Sequence, residues 1–217
     1  RQMCIRDRAK YIAKEYNVKR HTIIQIDLAQ FGGSALTDDK IKVPKKRNIS
    51  ESQSIPVTYV PARNTILLSL AIAWAETLGA YNIFIGVNSL DYSGYPDCRP
   101  EFYKVIHEAF AVGNWDSEKV DLYLPYLDGD KLTILRDAQE SITKLGLNFN
   151  TVFRNTSTSY DSDDQGRASG KTGSDVERII AFNELGVPDP VPYIDSWEVV
   201  LHNALDLEKK RRIQATP

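Results

Sequence analysis

The sequence predicts an α/β fold: an open, mainly parallel sheet with helices on both faces. Three observations predict it. Two short runs, at 21–28 (HTIIQIDL) and 83–87 (IFIGV), are apolar and rich in β-branched residues, as buried strands are. An apolar helix at 65–78 leads through Gly79 straight into the second run, the helix-to-strand step of a parallel crossover. The chain has 217 residues, 42% hydrophobic and 26% charged, enough for one globular domain with its own core.

Taken in order, the elements follow from local chemistry. Residues 1–8 (RQMCIRDR) resemble translated adaptor sequence, lack an initiating methionine, and are expected to be non-native. A first helix runs to Tyr16 and turns at Asn17-Val18. The strand at 21–28 is broken by Gly32-Gly33-Ser34. Residues 40–58 form a long polar loop with Pro44, Pro56 and the basic run Lys45-Lys46-Arg47, read as solvated surface. The helix at 65–78 is apolar nearly all round, so it should be buried against a sheet, and Gly79 ends it. A helix follows at 99–112, closed by Gly113, then a strand at 120–124 before Pro125. Further helices are expected at 133–145, ended by Gly146, and at 176–185, ended by Gly186. A last helix at 197–212 has a basic end that suits the helix dipole. The main domain is set at 9–192, with a polar excursion at 155–175, and the C-terminal helix at 193–217. There is no internal repeat.

Composition also excludes. Lysine plus arginine number 27 against 29 acids, a net charge of −2, which speaks against a nucleic-acid-binding domain. No apolar run reaches the roughly 18–20 residues of a membrane helix. The charged N-terminus has no apolar h-region, so a cytoplasmic location is expected. Two cysteines, Cys4 and Cys98, rule out a disulfide framework or a four-cysteine zinc site. His21, His107 and His202 lack metal-ligand spacing, and His21 and His107 read as structural. Gly170-Lys171-Thr172 ends like a P-loop, but Gly166 is one residue too close for that motif.

Chemistry gathers at 88–102 (NSLDYSGYPDCRPEF), just past a buried strand, where open α/β sheets bind ligands. Asn88, Asp91, Ser93, Tyr95, Asp97 and Arg99 surround Gly94 and Pro96. The acids can accept from the amide edge of a purine-like base, Tyr92 and Tyr95 can stack, and Arg99 can pair with a carboxylate or phosphate. The plainer reading is a turn in which Asp97 caps the next helix. Arg63-Asn64 is a second candidate, an anion site at a helix N-terminus or simple capping by Asn64. No catalytic group is assigned; Lys131 is the one candidate.

These residues carry a resemblance. VPARN at 60–64, GVNSLDYSGYPDCRPEF at 86–102, GSALT at 33–37 and LGVPDP at 185–190 resemble the QueC family of 7-cyano-7-deazaguanine synthases, over about residues 9–192. The resemblance implies the adenine nucleotide alpha hydrolase-like fold of the PP-loop ATP pyrophosphatases. It implies that 7-carboxy-7-deazaguanine and ammonia become 7-cyano-7-deazaguanine, through adenylation by ATP with Mg, for queuosine biosynthesis. Arg63, Asn64, Asn88, Asp91, Ser93, Tyr95, Asp97 and Arg99 would then bind substrate, and a homodimer without nucleic acid or membrane partners is expected. A QueC-like protein with a different acceptor, or a non-catalytic relic, are the alternatives.

Two departures from the family stand out. Its SGGxDS loop and first strand should precede Ala9, so the sequence is expected to be truncated and inactive alone. Its zinc cysteines fall at Ser159, Ser169, Thr172 and Asp175, where the spacing survives and every thiolate is gone. Hydroxyls and one carboxylate make a poor zinc site, so no zinc is expected, and 160–173 should be looser than in the family.

Overall fold

A computed structural model describes residues 2–38, 40–42, 56–88, 91 and 95–215. Its elements are α1 (Gln2–Glu15), α2 (Arg63–Leu78), β1 (Asn82–Phe84), α3 (Pro100–Gly113), β2 (Asp121–Tyr123), α4 (Lys131–Lys144), α5 (Phe149–Arg154), α6 (Gly173–Leu185) and α7 (Trp197–Ala215). They divide between two compact units, one of residues 1–30, 42–51 and 131–217, the other of 31–41 and 52–130.

The unit at 31–41 and 52–130 is a parallel crossover. Helix α2 stops at Gly79, whose φ of 62° lets its N–H reach Glu76 O while Ala80 N–H reaches Ala75 O. The chain then enters β1, crosses through α3 and returns as β2. The strands pair parallel, with Asn82 opposite Asp121, Ile83 opposite Leu122 and Phe84 opposite Tyr123. Leu68, Val87, Cys98, Tyr103 and Ile106 form the buried core under them. The His107 ring bonds Val120 O at 2.7 Å and so ties α3 to the residue before β2.

Two expectations change here. Helix α2 buries one stripe, Leu68, Ile72 and Ala75, and leaves Leu67 half exposed, because it packs on one side only. The strand expected at 21–28 does not form. Its residues are assigned no ladder, and Ile23, Ile24 and Ile26 stay exposed. A β-propensity becomes a strand only when a neighbouring backbone takes its hydrogen bonds. Asp27 instead accepts from Ala29 N–H and opens a 3-10 turn at Leu28–Phe31.

The other unit is helical. Helix α6 is its axis, packed by α4 on one side and α7 on the other. Phe149, Phe153 and Phe182 stack edge to face beside Leu135, Ile142 and Ala181. Val176, Ile179, Val200 and Ala204 close the second seam. Helix α1 begins at Gln2, so 2–8 are helical, and Arg8 donates to Arg154 O. Helix α5 escapes the sequence reading because it is only six residues long. Asn148 caps it, accepting from Thr151 N–H at 2.9 Å.

Candidate functional site

The VPARN and DYSGYPDCR motifs meet. Ala62 adopts a left-handed backbone, φ 55°, immediately before α2 and offers no side-chain cap. The cap comes from another segment. Asn64 N–H, in the first turn of α2, donates to Asp97 Oδ2 at 3.2 Å. The Asn64 side chain donates back to Asp97 O at 2.8 Å and to Cys98 Sγ at 3.3 Å. A buried Asp97 carboxylate thus stands at the positive end of α2.

Both capping expectations are corrected by this pair. Asp97 does not cap the helix that follows it. It lies inside a 3-10 turn, Pro96–Cys98, and α3 is led by Arg99 without a side-chain cap. Asn64 does not cap α2 either; it sits one residue inside the helix and serves as a donor.

Around this pair the other predicted residues take definite places. Asn88 is buried, and its Nδ2 donates to Asp91 Oδ2 at 2.8 Å, which fixes the turn leaving the strand. Asp91 O accepts from Tyr95 N–H at 3.1 Å. The Tyr95 hydroxyl meets Thr58 Oγ1 at 2.7 Å, and its ring lies 6.4 Å from that of Tyr59. Arg99, next to the Asp97 turn, is exposed, and Arg63 is half-buried. Ser93, like Tyr92, lies outside the described residues. Thr58, Tyr59 and Cys98 were missed as members; a tyrosine-threonine pairing 37 residues apart leaves no local signal.

Burial holds the Cys98 thiol at a pKa of about 11, with the charges of Asp97 and Asp91 adding to the rise. Cys98 is therefore a packing thiol and no nucleophile near neutral pH.

Within the other unit, Lys131 opens α4 and pairs with Glu177 Oε2 at 2.6 Å, both half-buried. Ser159, Ser169, Thr172 and Asp175 do come together. The Ser159 and Ser169 hydroxyls and the Thr172 N–H donate to the Asp175 carboxylate, so the group presents donors where a cation needs lone pairs, and it does not fit zinc. Among the described residues no three His, Cys, Asp or Glu side chains converge as a metal group. Hydrogen bonds hold the segment at 160–173: Ala168 bridges both Ser162 and Tyr193, and Ser169 N–H donates to Asp161 O. The LGVPDP motif is structural too. Asp189 takes a bidentate bond from Arg178 at 2.5 and 2.9 Å and accepts from the Tyr193 hydroxyl.

Known proteins place this arrangement. The family described as "Queuosine biosynthesis protein QueC" matches residues 1–186. A 7-cyano-7-deazaguanine synthase of Cupriavidus pinatubonensis (strain JMP 134 / LMG 1197) is 42% identical over 190 residues, 86% of this chain and 79% of that protein. One from Rickettsia felis (strain ATCC VR-1525 / URRWXCal2) is 41% identical over 188 residues, 86% of this chain and 80% of that protein. One from Cupriavidus metallidurans (strain ATCC 43123 / DSM 2839 / NBRC 102507 / CH34) is 43% identical over 188 residues, covering 85% and 78%. A family match over residues 1–186, with relatives above 40% identical over most of both chains, makes this chain a member of the QueC family.

Proposed function

We propose that this protein works as a 7-cyano-7-deazaguanine synthase in queuosine biosynthesis, a ligase that joins nitrogen to carbon at the cost of ATP. The observation that carries the reading is the Asp97–Asn64 pair, which joins the two motifs most specific to the family into one buried centre with arginines at its rim.

In this reading the carboxylate of 7-carboxy-7-deazaguanine attacks the α-phosphate of ATP and releases pyrophosphate. Ammonia then displaces AMP and leaves the amide. The amide oxygen takes a second adenylyl group, again releasing pyrophosphate, and loss of AMP and a proton gives the nitrile. Arg99 pairs with the carboxylate or the adenylyl phosphate. Tyr95 offers its ring to the deazapurine, and Asn88 and Asp91 shape the turn that aims it. Asp97 holds the turn before Arg99 against the start of α2 without touching the reacting atoms. Magnesium would arrive with the ATP phosphates and offset their charge. The reading also brings the wider parallel sheet of the nucleotide alpha hydrolases, supported by the β1–α3–β2 crossover, and a homodimer.

The test is binding. Titration calorimetry with 7-carboxy-7-deazaguanine should show a one-to-one complex, weakened at least tenfold by Arg99→Ala. Equal dissociation constants for the two proteins would remove the site assignment.

A further inference from the structure

We propose that Ser159, Ser169, Thr172 and Asp175 form a metal-free clasp, in which the Asp175 carboxylate fastens the 155–172 segment to the start of α6. The four side chains arrive from separate stretches of backbone: Ser159 from the chain after α5, Ser169 and Thr172 from the turn before α6, and Asp175 from its first turn. All are at least nine-tenths buried.

Their hydrogen bonds run to one atom. Ser159 Oγ donates to Asp175 Oδ2 at 3.1 Å, Ser169 Oγ at 3.4 Å and Thr172 N–H at 3.2 Å. Asp175 N–H returns a bond to Thr172 Oγ1 at 3.3 Å, which completes a capping box. Ser174 Oγ adds an outer tie to Thr158 O at 2.8 Å. An anion ringed by donors has the opposite polarity to a metal centre ringed by lone pairs. Burial works against the charged carboxylate and raises the Asp175 pKa, and the three donors and the positive end of α6 offset part of that cost.

Packing closes the same joint. Gly170 has φ +70°, and a Cβ there would stand 2.9 Å from Val200 Cγ1, so the turn lies hard against α7. The clasp therefore does what a structural ion does in a loop of this spacing, with hydrogen bonds inside the chain instead of coordination.

Zinc content and thermal melting of the whole purified chain test this. Protein produced in zinc-supplemented medium should carry under about one-tenth of an equivalent of zinc, and a strong chelator should leave its Tm unchanged. Asp175→Asn keeps the shape but weakens the hub, and should lower Tm by about 5 °C or more. Replacing all four residues by cysteine should give a protein that takes up one zinc and whose Tm then falls with chelator. Stoichiometric zinc in the wild type, a chelator-sensitive wild-type Tm, or an Asp175→Asn variant that melts like the parent would each overturn the clasp. A soluble four-cysteine variant that ignores zinc would overturn the convergence of the four positions.

Discussion

Asp97 and Asp175 are the same device used in two ways. Each is a buried carboxylate that accepts an N–H at the start of a helix. Asp97 reaches α2 across 33 residues of sequence, and beside it Arg99 is exposed and Arg63 half-exposed. Asp175 lies in the first turn of its own helix and accepts from the N–H of its cap, Thr172, and its partners Ser159, Ser169 and Thr172 are buried with it. A carboxylate with arginines at its rim leaves charged side chains open to solvent. One enclosed on all sides makes a joint. Burial of a charged residue is therefore no sign of function by itself; the exposure of its neighbours separates the two cases.

The enclosed region should fail hardest. Asp189→Ala strips the partner from Arg178, whose other bonds go to Thr156 Oγ1 and Phe153 O. A buried guanidinium left without its carboxylate costs about 3–5 kcal/mol. Urea unfolding should show that loss, and a change under about 1 kcal/mol would mean that the joint is no tighter than the open centre.

At the rim the order reverses. Arg99→Ala should cost about 1.5–3 kcal/mol of affinity for 7-carboxy-7-deazaguanine and, because the side chain is exposed, leave stability within about 0.5 kcal/mol. A destabilised variant with normal binding would make Arg99 part of the scaffold.

Between them stands Asp97→Ala. It should lower stability by about 1–2 kcal/mol by uncapping α2, and it should also weaken ligand binding because the turn that leads to Arg99 loses its tie to α2. Urea unfolding of the variant checks this, and stability within about 0.3 kcal/mol of the parent would deny the cap.

How much of this was legible in the sequence follows from range. Gly79 and Gly186 end helices through local geometry, and both were readable. The parallel crossover was readable too, though only Asn82–Phe84 and Asp121–Tyr123 pair where longer strands were expected. Residues 21–28 have the composition of a strand and no ladder, because pairing is a property of two segments and composition of one. The Asp97 loop and Arg63-Asn64 were both readable as candidates. That they cap each other was not, since nothing local says which helix a carboxylate will serve. The spacing of Thr172 and Asp175 is that of a capping box and could have been read. The inward turn of Ser159 and Ser169 could not.

The smallest effect probes how far the open centre is open. Cys98 is 5% exposed and accepts a bond from Asn64, yet it lies one residue from exposed Arg99. Burial first, then the charges of Asp97 and Asp91, lift its thiol from the ordinary 9 to about 11. Between those values an unfolded chain has released the proton and the folded one still holds it. Stability from this group is therefore complete below pH 9 and is lost as pH rises toward 11. Iodoacetamide should accordingly leave the Cys98 peptide unmodified in folded protein at pH 8, modify it fully in urea, and begin to react with the native form only above pH 9. Asp97→Asn removes one of the charges that hold the proton and should move that onset to lower pH. Mass spectrometry of the digested protein reads each case. Alkylation of the native protein at pH 8 as fast as in urea would show solvent reaching the inside of the Asp97 turn, and the contrast between an open rim and a closed centre would no longer hold there.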